Sequence, residues 1–185
     1  VAVGIVGAIE IIPLIVFGLY GGVLADYVDR KKMIWATEAA ALVISGILLL
    51  NAMSEDPKVW IIYVMAGLFA SVDGLQRPSA DAILPRIVGH ADLPAASALM
   101  SLRWQLGVII GPTIGGIVIS TISISAGYGF DVFTFLISLI FLAKVGSVPS
   151  HPEAQKPSLR GLLDGIKYAC SRQDLTGTYL IDLAA

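Results

Sequence analysis

Residues 18–35 read GLYGGVLADYVDRKKMIW: a glycine-rich apolar run, a burst of charge, then apolar chain again. Asp26, Asp29, Arg30, Lys31 and Lys32 put five charges within seven residues. On each side the chain stays apolar for close to the ~20 residues that a helix needs to cross a hydrocarbon core. The pattern is that of a polar turn between two membrane spans. Its three consecutive bases also give it a side, because short loops rich in Lys and Arg are held in the cytoplasm.

The rest of the chain agrees. Of its 185 residues, 56% are hydrophobic and only 14% charged, with a mean hydropathy of +0.83. An average soluble domain carries about 25% charged residues. Five apolar segments, at about 1–25, 33–52, 59–76, 95–121 and 126–145, each approach or reach spanning length at ~1.5 Å per residue. They are continuous rather than alternating, which favours helices over barrel strands. A sixth begins near Leu175. The fold expected is an all-α membrane protein.

The connectors differ in charge. The first, third and fifth carry ten of the 12 basic residues; the second, around SEDPK, carries only Lys58, and the fourth carries none. Odd connectors are therefore expected in the cytoplasm. The first span then runs inward, so an earlier span is expected before it. Val1 lies inside an apolar run, and GTYLIDLAA at the other end opens one. Both ends read as interior to a longer membrane protein.

Several function classes lose support. With 12 basic against 14 acidic residues, nucleic-acid binding has no electrostatic basis. Cys170, His90 and His151 make no zinc set, and no metal or cofactor is expected. No nucleophile has partners at catalytic spacing, and no Walker-type phosphate loop occurs. An enzyme is not expected.

After the fifth span, SVPSHPEAQKP is a Pro- and Ser-containing linker. In the following SLRGLLDGIKYACSR, Leu159, Leu162, Leu163 and Ile166 recur at helical spacing among Arg160, Asp164 and Lys167. That is an amphipathic helix, lying on the cytoplasmic membrane face or packed on another domain. The expected division is spans over 1–146, a cytoplasmic linker with its amphipathic helix over 147–174, and a further span starting in 175–185.

Two spans are unusually rich in glycine. In the first, Gly4, Gly7, Ile11, Leu14, Gly18, Gly21 and Ala25 follow a 3-4 spacing, a seam along which another backbone can come close. The fourth contains GVIIGPTIGG at 107–116, with Gly107, Gly111 and Gly115 one turn apart and Pro112 interrupting the hydrogen-bond ladder. Ordinary packing accounts for such residues. Their separation by two plainer spans, in opposite topology, also suits the inverted three-helix repeats of secondary transporters.

These stretches resemble the major facilitator superfamily of secondary transporters. Gly22-Val23-Leu24-Ala25-Asp26-Tyr27-Val28-Asp29-Arg30-Lys31 is similar to its loop signature Gly-x-Leu-Ala-Asp-x-x-Gly-Arg-Lys after helix 2. Asp29 stands where the signature has glycine, which questions the usual tight turn. GVIIGPTIGG matches the helix-5 signature Gly-x-x-x-Gly-Pro-x-x-Gly-Gly, associated with antiporters, through Gly107, Gly111, Pro112, Gly115 and Gly116. Residues 77–107 look like the segment before that signature in the branch of enterobactin exporters and macrolide-efflux proteins. The resemblance implies a partial N-terminal half of the superfamily's helical bundle, helices 2 to 6 of twelve, with the C-terminal half absent. It implies a gating role for Gly22, Leu24, Asp26, Arg30 and Lys31. It further implies a small-molecule substrate, coupling to protons, a place in the cell membrane, and efflux by alternating access. Uptake by the same fold and a non-transporting membrane protein remain alternatives.

Ionisable groups inside spans cost about 2.5–3.5 kcal/mol each on insertion scales and so invite a functional reading. Glu10, between Gly7 and Pro13, is a candidate proton carrier, since burial disfavours a charged carboxylate; a packed, hydrogen-bonded glutamate is the alternative. Arg103, four residues before Gly107, is a candidate coupling or substrate group, or else snorkels to the interface. Asp131 is a cap or packing residue first and a substrate contact second. Asp73 and Arg77 have ion-pair spacing and, with Glu38, form a candidate charge network beside the 26–32 loop. Trp35, Trp60 and Trp104 fit interfacial anchoring.

Overall fold

The structure, a computed structural model, describes residues 2–146, and the side chains among them except those of residues 2–3, 25–26 and 85–87. Five helices fill that range: α1 (Ala2–Tyr27), α2 (Arg30–Met53), α3 (Val59–Ile87), α4 (Leu93–Thr121) and α5 (Ile124–Lys144). All five are long and apolar enough to cross a membrane. The amphipathic stretch, its linker and the start of a sixth span lie outside the described residues.

One boundary differs from expectation. The third span was to end near Gln76, at the polar sequence RPSADAILPRI, yet α3 continues to Ile87. Extending an existing helix is far easier than nucleating one, and this polar turn-rich stretch has partners. Ser79 is fully buried and donates to Met33 Sδ (3.1 Å). The Ala82 carbonyl accepts from Arg30 Nη1. Pro78, which has no N–H to give, leaves the Gly74 carbonyl turned toward α1. A single 3-10 turn, His90–Asp92, then leads into α4.

α1 and α3 run parallel and are the most extensively packed pair. The reason lies in their glycines. A Cβ on Gly74 would stand 2.9 Å from both Gly18 N and Leu14 O; one on Gly21 would stand 2.9 Å from Gly74 O. Two turns earlier in α3, a Cβ on Gly67 would meet the Ile9 side chain at 3.2 Å. The expected seam of α1 is thus used from Leu14 to Gly21. At Gly4, Gly7, Gly18 and Gly22 an added Cβ would meet nothing within 4 Å.

α2 lies antiparallel to α3 and α5, packs on both, and is buried along Met33, Thr37, Ala41, Ile44 and Ser45. α4 is the least enclosed helix, with no buried residue and its main helix contact along α5.

Candidate functional site

The loop after α1 is built by a cap. Asp29 adopts φ −57°, ψ 117°, and its carboxylate accepts from Lys31 N (2.9 Å), closing the N-terminus of α2. The signature's glycine is therefore replaced by an N-cap, and no residue described has positive φ. A left-handed turn is not needed here; the acid instead satisfies an orphan backbone donor and complements the positive end of α2.

The two bases that follow are not merely markers of sidedness. Arg30 is 6% exposed, and one of its contacts is the Ala82 carbonyl in the last turns of α3. Lys31 Nζ donates to the carbonyl oxygens of Val145 and, at 3.4 Å, Ala143, at the end of α5. Helix C-termini present unpaired carbonyls and a negative dipole end, which cations satisfy. One short loop thus ties the ends of α2, α3 and α5 together. The side chain of Asp26 lies outside the described residues; Gly22 and Leu24 sit in the last two turns of α1. A shallow apolar groove of about 440 Å³ runs beside this loop, lined in part by Leu24, Lys32 and Met33.

A second polar layer lies deeper. Arg77 pairs with Asp73 at 2.8 Å, one helical turn apart. Glu38 Oε1 accepts from Gln76 Nε2 (2.7 Å), while Glu38 Oε2 is buried with no hydrogen-bond partner among the described residues. The α2–α3 interface is therefore a ladder: Arg30 to Ala82, Met33 to Ser79, Glu38 to Gln76. At its far end, Asn51 Oδ1 accepts from Lys58 N (2.9 Å) and Asn51 Nδ2 donates to Lys58 O (3.3 Å). Ser125 donates to Ala52 O (3.1 Å), joining α5 to the same end. The connectors assigned to one side by charge meet at one end of the bundle, and the others meet at the opposite end.

Asn51, Gln76, Ser79 and Gly74 were missed by sequence reasoning. Only Gly74 left a signal, its seven-residue spacing from Gly67. The other sequence candidates are scattered. Glu10 is half-buried on α1, and Arg103 is exposed on α4; neither side chain has a hydrogen bond or ion pair among the described residues. On α4 an added Cβ at Gly107, Gly111, Gly115 or Gly116 would meet nothing within 4 Å, and α4 continues through Pro112. Asp131 lines a cavity between α4 and α5 together with Gly111 and Gly115.

This arrangement defines a multi-pass α-helical protein of the cell membrane. The profile of the transmembrane secretion effector family, within the major facilitator superfamily, matches residues 1–180, and the chain belongs to that family. Among its relatives are the enterobactin exporters EntS of Shigella boydii and of Escherichia coli (strain HS). Each is 31% identical over 166 residues, covering 88% of this chain and 39% of the relative. The chain thus spans well under half the length of these relatives. The fold is similar to that of a peptide transporter, POT, in complex with sulfate (TM-score 0.62, 15% identity, 96% of this chain and 36% of that one). Its complex with alafosfalin gives a TM-score of 0.61 at 14% identity, over 96% of this chain and 37% of that one.

Proposed function

We propose that the chain is part of a secondary active exporter that moves small amphiphilic molecules out of the cell in exchange for protons. Two six-helix halves would rock about a central site near the midplane, so residues 1–146 work with a C-terminal half of the same transporter. Substrate and proton act by binding the inward- and outward-facing states unequally.

The observation that carries this reading is the loop at residues 22–31 together with its ties. A signature stretch of a transporter superfamily sits at one end of the bundle. Its Arg30 and Lys31 hold the ends of α3 and α5, so a change in that loop is felt by three helices at once. The antiporter-type stretch at 107–116 and the similarity to enterobactin exporters support the outward direction. Residues 147–174 link the halves on the cytoplasmic side.

In this reading Asp26 belongs to the gating loop and Glu10 is a proton carrier. In cells expressing the full-length transporter at wild-type levels, Glu10→Gln and Asp26→Asn are each expected to lower efflux at least tenfold. The measurement is the intracellular retention of a siderophore or macrolide substrate. Unchanged efflux in both variants would remove the proton-carrying role of Glu10 and the gating role of Asp26.

A further inference from the structure

The wedge between α4 and α5 holds a half-open cavity of about 370 Å³, within the range of about 300–1,000 Å³ typical of small-molecule sites. It exists because α4 places Gly111 and Gly115 one turn apart on the side facing α5, where even a Cβ would find open space. At one edge of it the helices touch: a Cβ on Gly127 would stand 3.3 Å from the Ile119 side chain. The wall is apolar apart from Tyr128 and Asp131, which lie three residues apart on α5 and so share a face. Among the described residues no Lys, Arg or His lines the cavity. The Asp131 carboxylate has no hydrogen bond or ion pair among the described residues. Asp131 is seven residues into α5, about 10 Å from the end remote from the Arg30 and Lys31 ties.

A carboxylate in an apolar wall within a span is costly unless something pairs with it. Space for an apolar body beside a single unneutralised acid selects one class of guest. We infer that this cavity binds amphiphilic organic cations, with the apolar body against the glycine face of α4 and the cationic centre at Asp131. The same carboxylate repels an anion of equal shape. This deepens the exporter reading by naming a substrate class and a site away from the loop, and it rests on that reading only for its physiological meaning, because binding can be measured without transport.

The test uses the full-length transporter in nanodiscs with tetraphenylphosphonium and tetraphenylborate, which share a shape and differ in the sign of charge. The phosphonium is expected to bind saturably and at least tenfold more tightly than the borate. Asp131→Asn should erase at least tenfold of that affinity, and Asp131→Glu should keep most of it. Gly115→Leu, which fills the cavity with Asp131 intact, should also block the phosphonium, and thermal unfolding establishes that each variant is folded. If an acyl chain or another helix occupies the wedge instead, both probes bind alike and Asp131→Asn changes nothing; that result overturns the inference. Phosphonium binding with the expected charge dependence in a protein that does not export would overturn the export reading alone.

Discussion

Replacing Gly74 by valine is expected to destabilise the full-length protein by about 3 kcal/mol, at the upper end of overpacking costs. A Cβ at this position meets Gly18 N and Leu14 O at 2.9 Å and the Phe17 carbonyl carbon at 3.2 Å. All three are backbone atoms of α1, so no rotamer change can relieve the contact. The only escape is to part α1 from α3, which also pulls Gly21 off Gly74 O and Ile9 off Gly67. Without a hydrophobic driving force between helices in lipid, such close packing is what holds two spans together. Gly46 gives the contrast: an added Cβ there meets nothing within 4 Å, and Gly46→Ala should be neutral or stabilising by up to about 1 kcal/mol through helix propensity. Thermal unfolding of the two variants in detergent decides it. Equal melting of Gly74→Val and wild type would show that the α1–α3 interlock is not what holds these spans.

Arg30→Ala is expected to cost about 2 kcal/mol, the worth of a hydrogen bond to a charged group. The guanidinium is 6% exposed and reaches across from α2 to the Ala82 carbonyl. Truncation removes that bond between α2 and α3 and opens space at the end of α3. Lysine carries the charge on a single flexible amine rather than a planar fork, so Arg30→Lys should recover part of the loss. A simple topology marker predicts something different: both variants would melt like wild type, since one base among Lys31 and Lys32 is dispensable for sidedness. Thermal melting of the full-length protein separates the two accounts, and efflux should fall in step with stability in Arg30→Ala.

How much of this was legible in the sequence depends on the kind of information involved. The five spans could be read because a membrane span is a local property, about 20 apolar residues in a row. Their alternation could be read because Lys and Arg report sidedness residue by residue. The end of α3 could not. Pro78 and the polar run after it mimic a connector, and only the buried Ser79 and the Arg30–Ala82 contact reveal why the helix goes on. The α1 seam was visible as a spacing, but not which part of it is used, since that depends on where Gly74 falls on the partner. Asp29 looked like a departure from a glycine turn and is in fact an N-cap, a change of local solution that the signature itself conceals. Asn51 and Gln76 gave no warning, because a lone polar residue acquires meaning only from the backbone or carboxylate placed opposite it. Glu10, Arg103 and Asp131 stood out by composition, yet only Asp131 comes to line a described cavity.

The most direct test of the exporter account uses the full-length protein in vesicles with the cytoplasmic face outward and an acidified lumen. Enterobactin and erythromycin are supplied outside in turn. The account predicts that at least one accumulates inside while the lumen alkalinises faster than it does without substrate, and that collapsing the gradient with a protonophore abolishes the accumulation. Accumulation indifferent to the protonophore, or substrate leaving the lumen together with protons, would contradict it.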